Sequence, residues 1–339
     1  MKTNDFAYYL NRYLTTYAIG QRNLSENTVM AYRDTFSKFL QFFDEQGIAP
    51  EKLNFSHITR EKAEDFLTWI EVSQGCGIST RNHRLAGLKS FFRYIQIVCP
   101  EQLLLCGQII NDIHSKKSPK PVIQYLSKDG ISLLLAQPDL TKSDERRDLA
   151  MLSLLYDAGA RVSEIRNLTP QSLRLAGAPT VTLIGKGNKA RFVPISSKNA
   201  KILRQYVKER KLDLLENMHN PLFSNRLGGK LSRGGISYIL DKYIQRANSV
   251  TPNAVPTSIT PHCLRHSKAM HLLESGCNLI YIRDFLDHED IETTQIYAKA
   301  NPEVKRAALE SVYAAPDAPE LPDWNNDTTL ISFLKGLGK

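Results

Sequence analysis

Apolar residues recur every three to four positions through most of the first hundred residues. Phe6, Leu10, Tyr13 and Leu14 keep that spacing behind Asn4, a candidate cap. Ser25 precedes a second run with Val29, Tyr32, Phe36, Phe39, Leu40 and Phe43, closed by Gly47 and Pro50. Thr59 precedes a third with Ala63, Phe66, Leu67 and Ile70. Ser79 precedes a fourth with Leu85, Leu88, Phe92 and Ile95, ending near Pro100. A period of 3.6 places each set on one helix face, so residues 1–112 are expected to form a bundle of four or five helices. The periodicity then stops. Residues 113–124 contain the cationic, proline-bearing stretch His114-Ser-Lys-Lys-Ser-Pro-Lys-Pro121 and read as a linker. From 125 to 314 the pattern is mixed. Helical spacing is found near 128–136, 145–158, 163–168, 198–215, 233–247, 262–275, 279–286 and 291–311. The β-branched runs Thr180–Ile184 and Arg191–Ile195 flank a glycine-rich turn and predict a hairpin. Residues 315–339 form a tail: prolines first, then a helix capped by Asp327 that carries Leu330, Ile331, Phe333, Leu334 and Leu337. So short a helix is marginal alone and must dock on something. The fold class expected is mainly α with a small β-hairpin (α+β), in two domains.

Composition narrows the function. The chain has 339 residues and a net charge of +9, which favours a polyanionic partner but also fits a merely basic protein. Its five cysteines are scattered, with no C-x-x-C pair, so neither a disulfide framework nor a zinc-thiolate site is expected. The N-terminus lacks the apolar stretch of a signal peptide. No apolar run approaches the roughly 18 residues of a membrane span. The expectation is a cytoplasmic protein with no membrane association.

Four fragments carry candidate chemistry. They are Gly159-Ala-Arg-Val-Ser-Glu-Ile-Arg166, Ile184-Gly-Lys-Gly-Asn-Lys-Ala-Arg-Phe-Val-Pro194, Pro261-His-Cys-Leu-Arg-His266 and the stretch from Leu286 through His288 to Tyr297. Cutting a phosphodiester without metal needs a nucleophile, neutralisation of the pentavalent phosphorus centre and a proton for the leaving oxygen. Guanidinium groups suit the second need, being always charged and forked to match phosphate oxygens. Arg161 and Arg265 are the candidates. On those residues alone, Arg161 with Glu164 three residues on reads first as an ordinary helix ion pair. His262 and Arg265 share one helix face. His266, four residues after His262, suggests a metal pair, but the metalloprotease pattern needs a glutamate where Cys263 stands. The hairpin turn lacks the P-loop spacing, so nucleotide binding is not expected. Lys186, Lys189 and Arg191 lie there, either as a proton donor with its neighbours or as a solvated basic tip. Tyr297 has an ordinary pKa near 10 and needs help to attack.

In this order the fragments resemble the tyrosine recombinases (phage-integrase family), over roughly residues 5–312. The resemblance implies a SAM-like N-terminal core-binding bundle, a catalytic domain at 125–314, and a clamp around DNA. Arg161, Lys186, His262, Arg265, His288 and Tyr297 match the family's catalytic set, with Glu164 as the supporting acid. It implies that Tyr297 attacks the phosphate to give a 3′-phosphotyrosyl link and a free 5′ hydroxyl, with neither cofactor nor metal. The expected partners are double-stranded DNA with specific sites, a homotetramer on two sites exchanging C-terminal helices in trans, and other recombinases. DNA contacts are expected from Thr28, Tyr32, Arg33, Arg81, Arg84 and Lys89, as polar positions away from the apolar stripes. Lys189 and Arg191 on the hairpin and Arg233 and Lys242 in an exposed groove helix complete that set. Integration, excision or transposition of a mobile element is the first reading. A Xer-type chromosome-dimer resolvase and a non-catalytic DNA-binding accessory protein are the alternatives. One departure is visible: the family usually has Leu-Gly-His where this chain has Leu286-Asp287-His288. Pairing of Asp287 with Arg283 or Lys299, or slowed catalysis, are its expected consequences.

Overall fold

The computed structural model describes residues 5–118, 123–288, 294–297 and 328–337. The expected caps Asn4 and Asp327, Lys299, most of the helix expected at 291–311 and the proline-rich strap lie outside them. The chain divides into two compact units, Met1–Pro121 and Val122–Lys339.

In the first unit, α1 (Asp5–Arg12) runs on into a wider helical turn, Tyr13–Gln21. It packs with α2 (Glu26–Glu45), α3 (Arg60–Val72), α4 (Ile78–Val98) and the short α5 (Leu103–Gly107). Ser25 and Thr59 cap α2 and α3 by accepting from the amides of Thr28 and Lys62. The fourth helix starts earlier than the Ser79 signal suggests: Gly77 stands at its cap and no side chain closes it. The predicted apolar stripes converge on one core of rings. Phe6, Phe36, Phe39, Phe66 and Phe91 are all buried in it. Phe39 meets Phe43 and Phe66 edge to face with centroids 5.0 Å apart in both pairs.

The second unit opens with α6 (Lys128–Leu135), α7 (Ser143–Asp157) and α8 (Val162–Asn167). A three-stranded antiparallel sheet follows, in the order β1 (Leu173–Arg174), β2 (Thr180–Ile184), β3 (Ala190–Pro194). The hairpin pairs Val181 with Val193 and Leu183 with Arg191. Val181, Leu183 and Val193 face the core, whereas Phe192 on the other face is 76% exposed. The two-residue β1 was not predicted; it is too short to show alternation. Next come α9 (Ser197–Glu209), α10 (Arg233–Val250), α11 (Pro261–Glu274) and α12 (Leu279–Leu286). Helix α9 ends at Glu209, short of the expected 215, and the chain turns through Lys211 at φ 51°. Residues 294–297 are helical, and so is α13 (Thr328–Gly336). The aliphatic core joins α6–α11 to the sheet. The hydroxyl of Ser267 accepts from the Leu126 amide at 2.9 Å and donates to the Cys263 carbonyl at 2.8 Å, which ties the start of this unit to α11.

Candidate active site

Three chain segments meet around the turn after α12. Arg161 is the cap residue of α8, reached through a left-handed turn at Gly159 (φ 55°). Its backbone amide donates to Glu164 Oε2 at 2.8 Å and its Nη1 donates to Glu164 Oε1 at 2.9 Å. The same Nη1 reaches Asp287 Oδ2 at 3.0 Å, and Nη2 donates to the Asp287 carbonyl at 2.7 Å. Arg265, on α11, is 1% exposed. It donates to the Gly159 carbonyl at 2.7 Å and to the Leu286 carbonyl. Two guanidinium groups from different helices therefore meet consecutive carbonyls, those of Leu286 and Asp287, immediately before His288.

Burial lowers the Arg265 pKa to about 10, aided by Arg161, so the group stays charged at neutral pH. For Arg161 burial acts the same way, but the hydrogen bond to Asp287 and the charge of Glu164 outweigh it and its pKa is raised. Glu164 is itself buried, which alone would raise its pKa. Its hydrogen bonds and charge contacts with Arg191 and Arg161 reverse that, and it is held below the usual carboxylate range.

His288 Nδ1 lies 2.9 Å from the Thr294 hydroxyl, and its ring runs nearly parallel to Tyr297, at 14° with centroids 6.3 Å apart. The Tyr297 hydroxyl lies 2.9 Å from His266 Nδ1. Tyr297 is 1% exposed. Burial pushes its pKa up to about 12, although the Arg265 charge pulls the other way. Burial, helped by neighbouring cations, brings the imidazoles of His288 and His266 down to about 4. His262 opens to solvent at one edge. Its other side lies against protein, and that desolvation with the charges of Arg265 and Arg161 lowers its pKa. Its ring centroid is 4.3 Å from that of His266.

The sequence did not single out His266 for this position. The available signal is its place on the His262 face, next to Arg265, where the metalloprotease pattern does not hold. Lys186 lies at the hairpin tip; its side chain is outside the described set. The turn is built by Gly187 at φ 72° and by Gly185, whose amide donates to the Lys189 carbonyl at 2.8 Å. A Cβ on Gly185 would come within 2.7 Å of Asp287 Oδ2, so a larger residue there would have to displace the carboxylate that Arg161 and Arg191 hold.

Several expectations are corrected here. Asp287 pairs with Arg161 and, at 3.5 Å, with Arg191, whereas Arg283 pairs with Asp284. Asp287 caps α12 in the left-handed conformation, φ 55° and ψ 53°. Glycine suits that backbone best and aspartate tolerates it better than most residues. Arg191 is no exposed hairpin cation: it forks onto both Glu164 oxygens at 2.7 and 2.8 Å and is 12% exposed. Arg81 is buried, not facing away from the core, and donates to the His114 carbonyl at 2.8 Å. Lys242 is half-buried and bound to Glu145 at 3.1 Å rather than exposed. The remaining cationic positions Lys189, Arg233 and Arg33 are exposed, and Lys89 is half-buried. Thr28, Tyr32 and Arg84 line one groove between α2 and α4, together with Thr35 and His83.

Residues 124–303 match the phage integrase family, and residues 10–96 match the phage integrase N-terminal SAM-like domain. The Sinorhizobium fredii protein y4rC, a candidate integrase/recombinase, is 34% identical over 94% of both chains. The tyrosine recombinase XerC of Oceanobacillus iheyensis is 30% identical, covering 90% of this chain and 95% of that one. Among solved structures, XerH recombinase bound to a palindromic difH substrate superposes with a TM-score of 0.68 at 20% identity, over 85% of this chain and 81% of that chain. The Tn1549 transposon integrase in complex with a circular intermediate DNA gives 0.64 at 17% identity, over 91% of this chain and 100% of that chain. The chain therefore belongs to the phage integrase family, the tyrosine recombinases that carry out site-specific DNA recombination.

Proposed function

We propose that Tyr297 is the nucleophile of this recombinase and that Arg161, Arg265, His262 and His288 grip the scissile phosphate of double-stranded DNA. The observation that carries the reading is the turn at residues 286–288. There Arg265 bonds the Leu286 carbonyl and Arg161 the Asp287 carbonyl, immediately before His288, with Tyr297 alongside His288. The Tyr297 oxygen attacks phosphorus and the bond from phosphorus to the 5′ oxygen breaks. The guanidinium pair offsets the extra negative charge of the pentavalent state. Lys186 gives a proton to the leaving 5′ oxygen, leaving a 3′-phosphotyrosyl bond. The 5′ hydroxyl of a partner strand then attacks that bond and frees Tyr297. Bond energy is kept in the link, so the exchange runs without ATP.

The groove formed by Thr28, Tyr32 and Arg84, with Arg33 beside it, is the DNA-reading surface of the first unit in this reading. Lys189 and Arg233 supply phosphate contacts from the second. Four copies act on two DNA sites, with other recombinases as possible partners in the synapse. Each copy lends α13 to a neighbour; Ile331, Phe333, Leu334 and Leu337 of that helix are exposed and need cover. The work done is movement of a mobile element, in the cytoplasm where the DNA lies. Among the described residues no helix is long and apolar enough to cross a membrane.

A nicked suicide substrate tests this. The wild-type chain is expected to form a covalent adduct, and Tyr297→Phe to bind the same DNA and form none. An adduct that survives in Tyr297→Phe refutes the assignment. In the same assay, removal of residues 316–339 should weaken pairing of two sites more than binding to one. Equal loss of both would rule out exchange in trans.

A further inference from the structure

We propose that His266 is a catalytic residue of this site: the base that takes the Tyr297 proton during strand cleavage and returns it during rejoining. The inference rests on the recombinase reading above. Of the ring nitrogens described around Tyr297, His266 Nδ1 is the one within hydrogen-bonding distance of its hydroxyl, at 2.9 Å. His288 lies flat beside the phenol ring and turns its own Nδ1 to Thr294, so it is committed elsewhere. His262 meets the His266 ring rather than the phenol.

Helix α11 makes this arrangement possible. Arg265 and His266 are adjacent on it, so the helix aims a cation at the carbonyl of Leu286 and an imidazole at Tyr297 together. Both neighbours of the imidazole on its own helix, His262 and Arg265, disfavour a second positive charge there. Burial is the larger cause, and together they bring its pKa down to about 4, so the ring is neutral at pH 7. A neutral imidazole protonated at Nε2 offers the Nδ1 lone pair to the phenol. Tyr297 needs such an acceptor, because its own pKa is raised to about 12.

The balance of the step is simple. The Tyr297 oxygen forms a bond to phosphorus while its proton passes to Nδ1, giving an imidazolium. The bond from phosphorus to the 5′ oxygen breaks, and that oxygen is protonated from the other side of the phosphate. In rejoining, the phenolate leaves phosphorus and recovers the proton from His266.

The test uses the full-length protein in single-turnover cleavage of suicide DNA, with two leaving groups: the natural 5′ oxygen and a 5′-bridging sulfur that leaves without a proton. His266→Ala and His266→Asn should cleave about 10²–10⁴-fold more slowly than wild type. They should still bind the DNA. Sulfur should not relieve their defect, whereas it should relieve that of Lys186→Ala, and added imidazole should partly restore His266→Ala. His266→Asn puts an amide oxygen where Nδ1 stands, so it keeps the hydrogen bond but not the basicity. Wild-type speed in either variant, or sulfur rescue of both, would overturn the proposal. A second measurement needs no substitution: wild-type cleavage of the sulfur substrate should slow in heavy water, and an isotope effect of one would also overturn it. If wild type forms no adduct, the recombinase reading itself fails; active His266 variants sink this inference alone.

Discussion

The first unit fills its interior with rings, while the second buries charge. Phe6, Phe36, Phe39, Phe43, Phe66, Phe91 and Phe92 close the core of the first, where Arg81 is the charged exception among the described buried residues. In the second, Glu145, Arg147, Asp148, Glu164 and Arg265 are buried, and each is paired or hydrogen-bonded. Interlocked rings make a rigid body whose outer faces can vary. Buried ions fix orientation: a guanidinium bonded at both ends, as Arg265 is to the Gly159 and Leu286 carbonyls, cannot drift. The difference marks which unit has to present a surface and which has to place atoms.

Three substitutions break or sharpen that contrast. The largest effect is expected from Phe39→Ala, which should destabilise the first unit by about 4 kcal/mol. Calorimetry should show its unfolding moved down with the transition of the second unit unchanged; a shift of both would refute independent cores. Glu164→Gln should destabilise the second unit by about 3 kcal/mol, because Arg161 and Arg191 lose their shared carboxylate. It should also slow cleavage. Acid should mimic it. The folded-state pKa of Glu164 lies below its unfolded value of about 4.3, so its stabilisation is present above that pH. It is lost as pH falls through the lower, folded value. Denaturant titrations across that window should show a weaker pH dependence in Glu164→Gln, and an unchanged one would count against the pairing. The smallest effect is expected from Asp287→Gly. Its ion pair with Arg161 is about one-third exposed on both sides, so it is worth about 1 kcal/mol or less. Freeing Arg161 should speed single-turnover cleavage up to about fivefold, with little change in stability, since glycine accepts the left-handed cap. Slower cleavage would mean that Asp287 positions Arg161 rather than competing with the phosphate for it.

Periodicity carried most of the fold. The stripes of α2, α3 and α4 and the paired β-branched runs of the hairpin are local signals, and each was readable before any geometry. Three things were not. The start of α4 at Gly77 rests on no capping side chain. β1 owes its existence to two residues beside β2. The partners of Arg191 and Asp287 lie far away in sequence: Glu164 is 27 residues before the first, and Arg161 is 126 before the second. At the site, residue types and spacing suggested who belongs to it, but not who touches whom. His266 shows the gap. Its spacing from His262 raised a metal question, whereas its ring nitrogen faces a phenol that arrives from another segment.

The concealment of Tyr297 has a consequence for how this protein behaves when it carries no DNA. A phenol sealed from water, hydrogen-bonded and far from ionised is a poor target for stray phosphodiesters, nucleotides and tyrosine-modifying reagents alike. In the reading proposed above, DNA must open the phosphate-facing side of this hydroxyl while His266 keeps its hydrogen bond to it, and the free energy for that comes from the DNA that binds. In that reading safety and selectivity are one property: the chain is armed only by the substrate it is meant to cut.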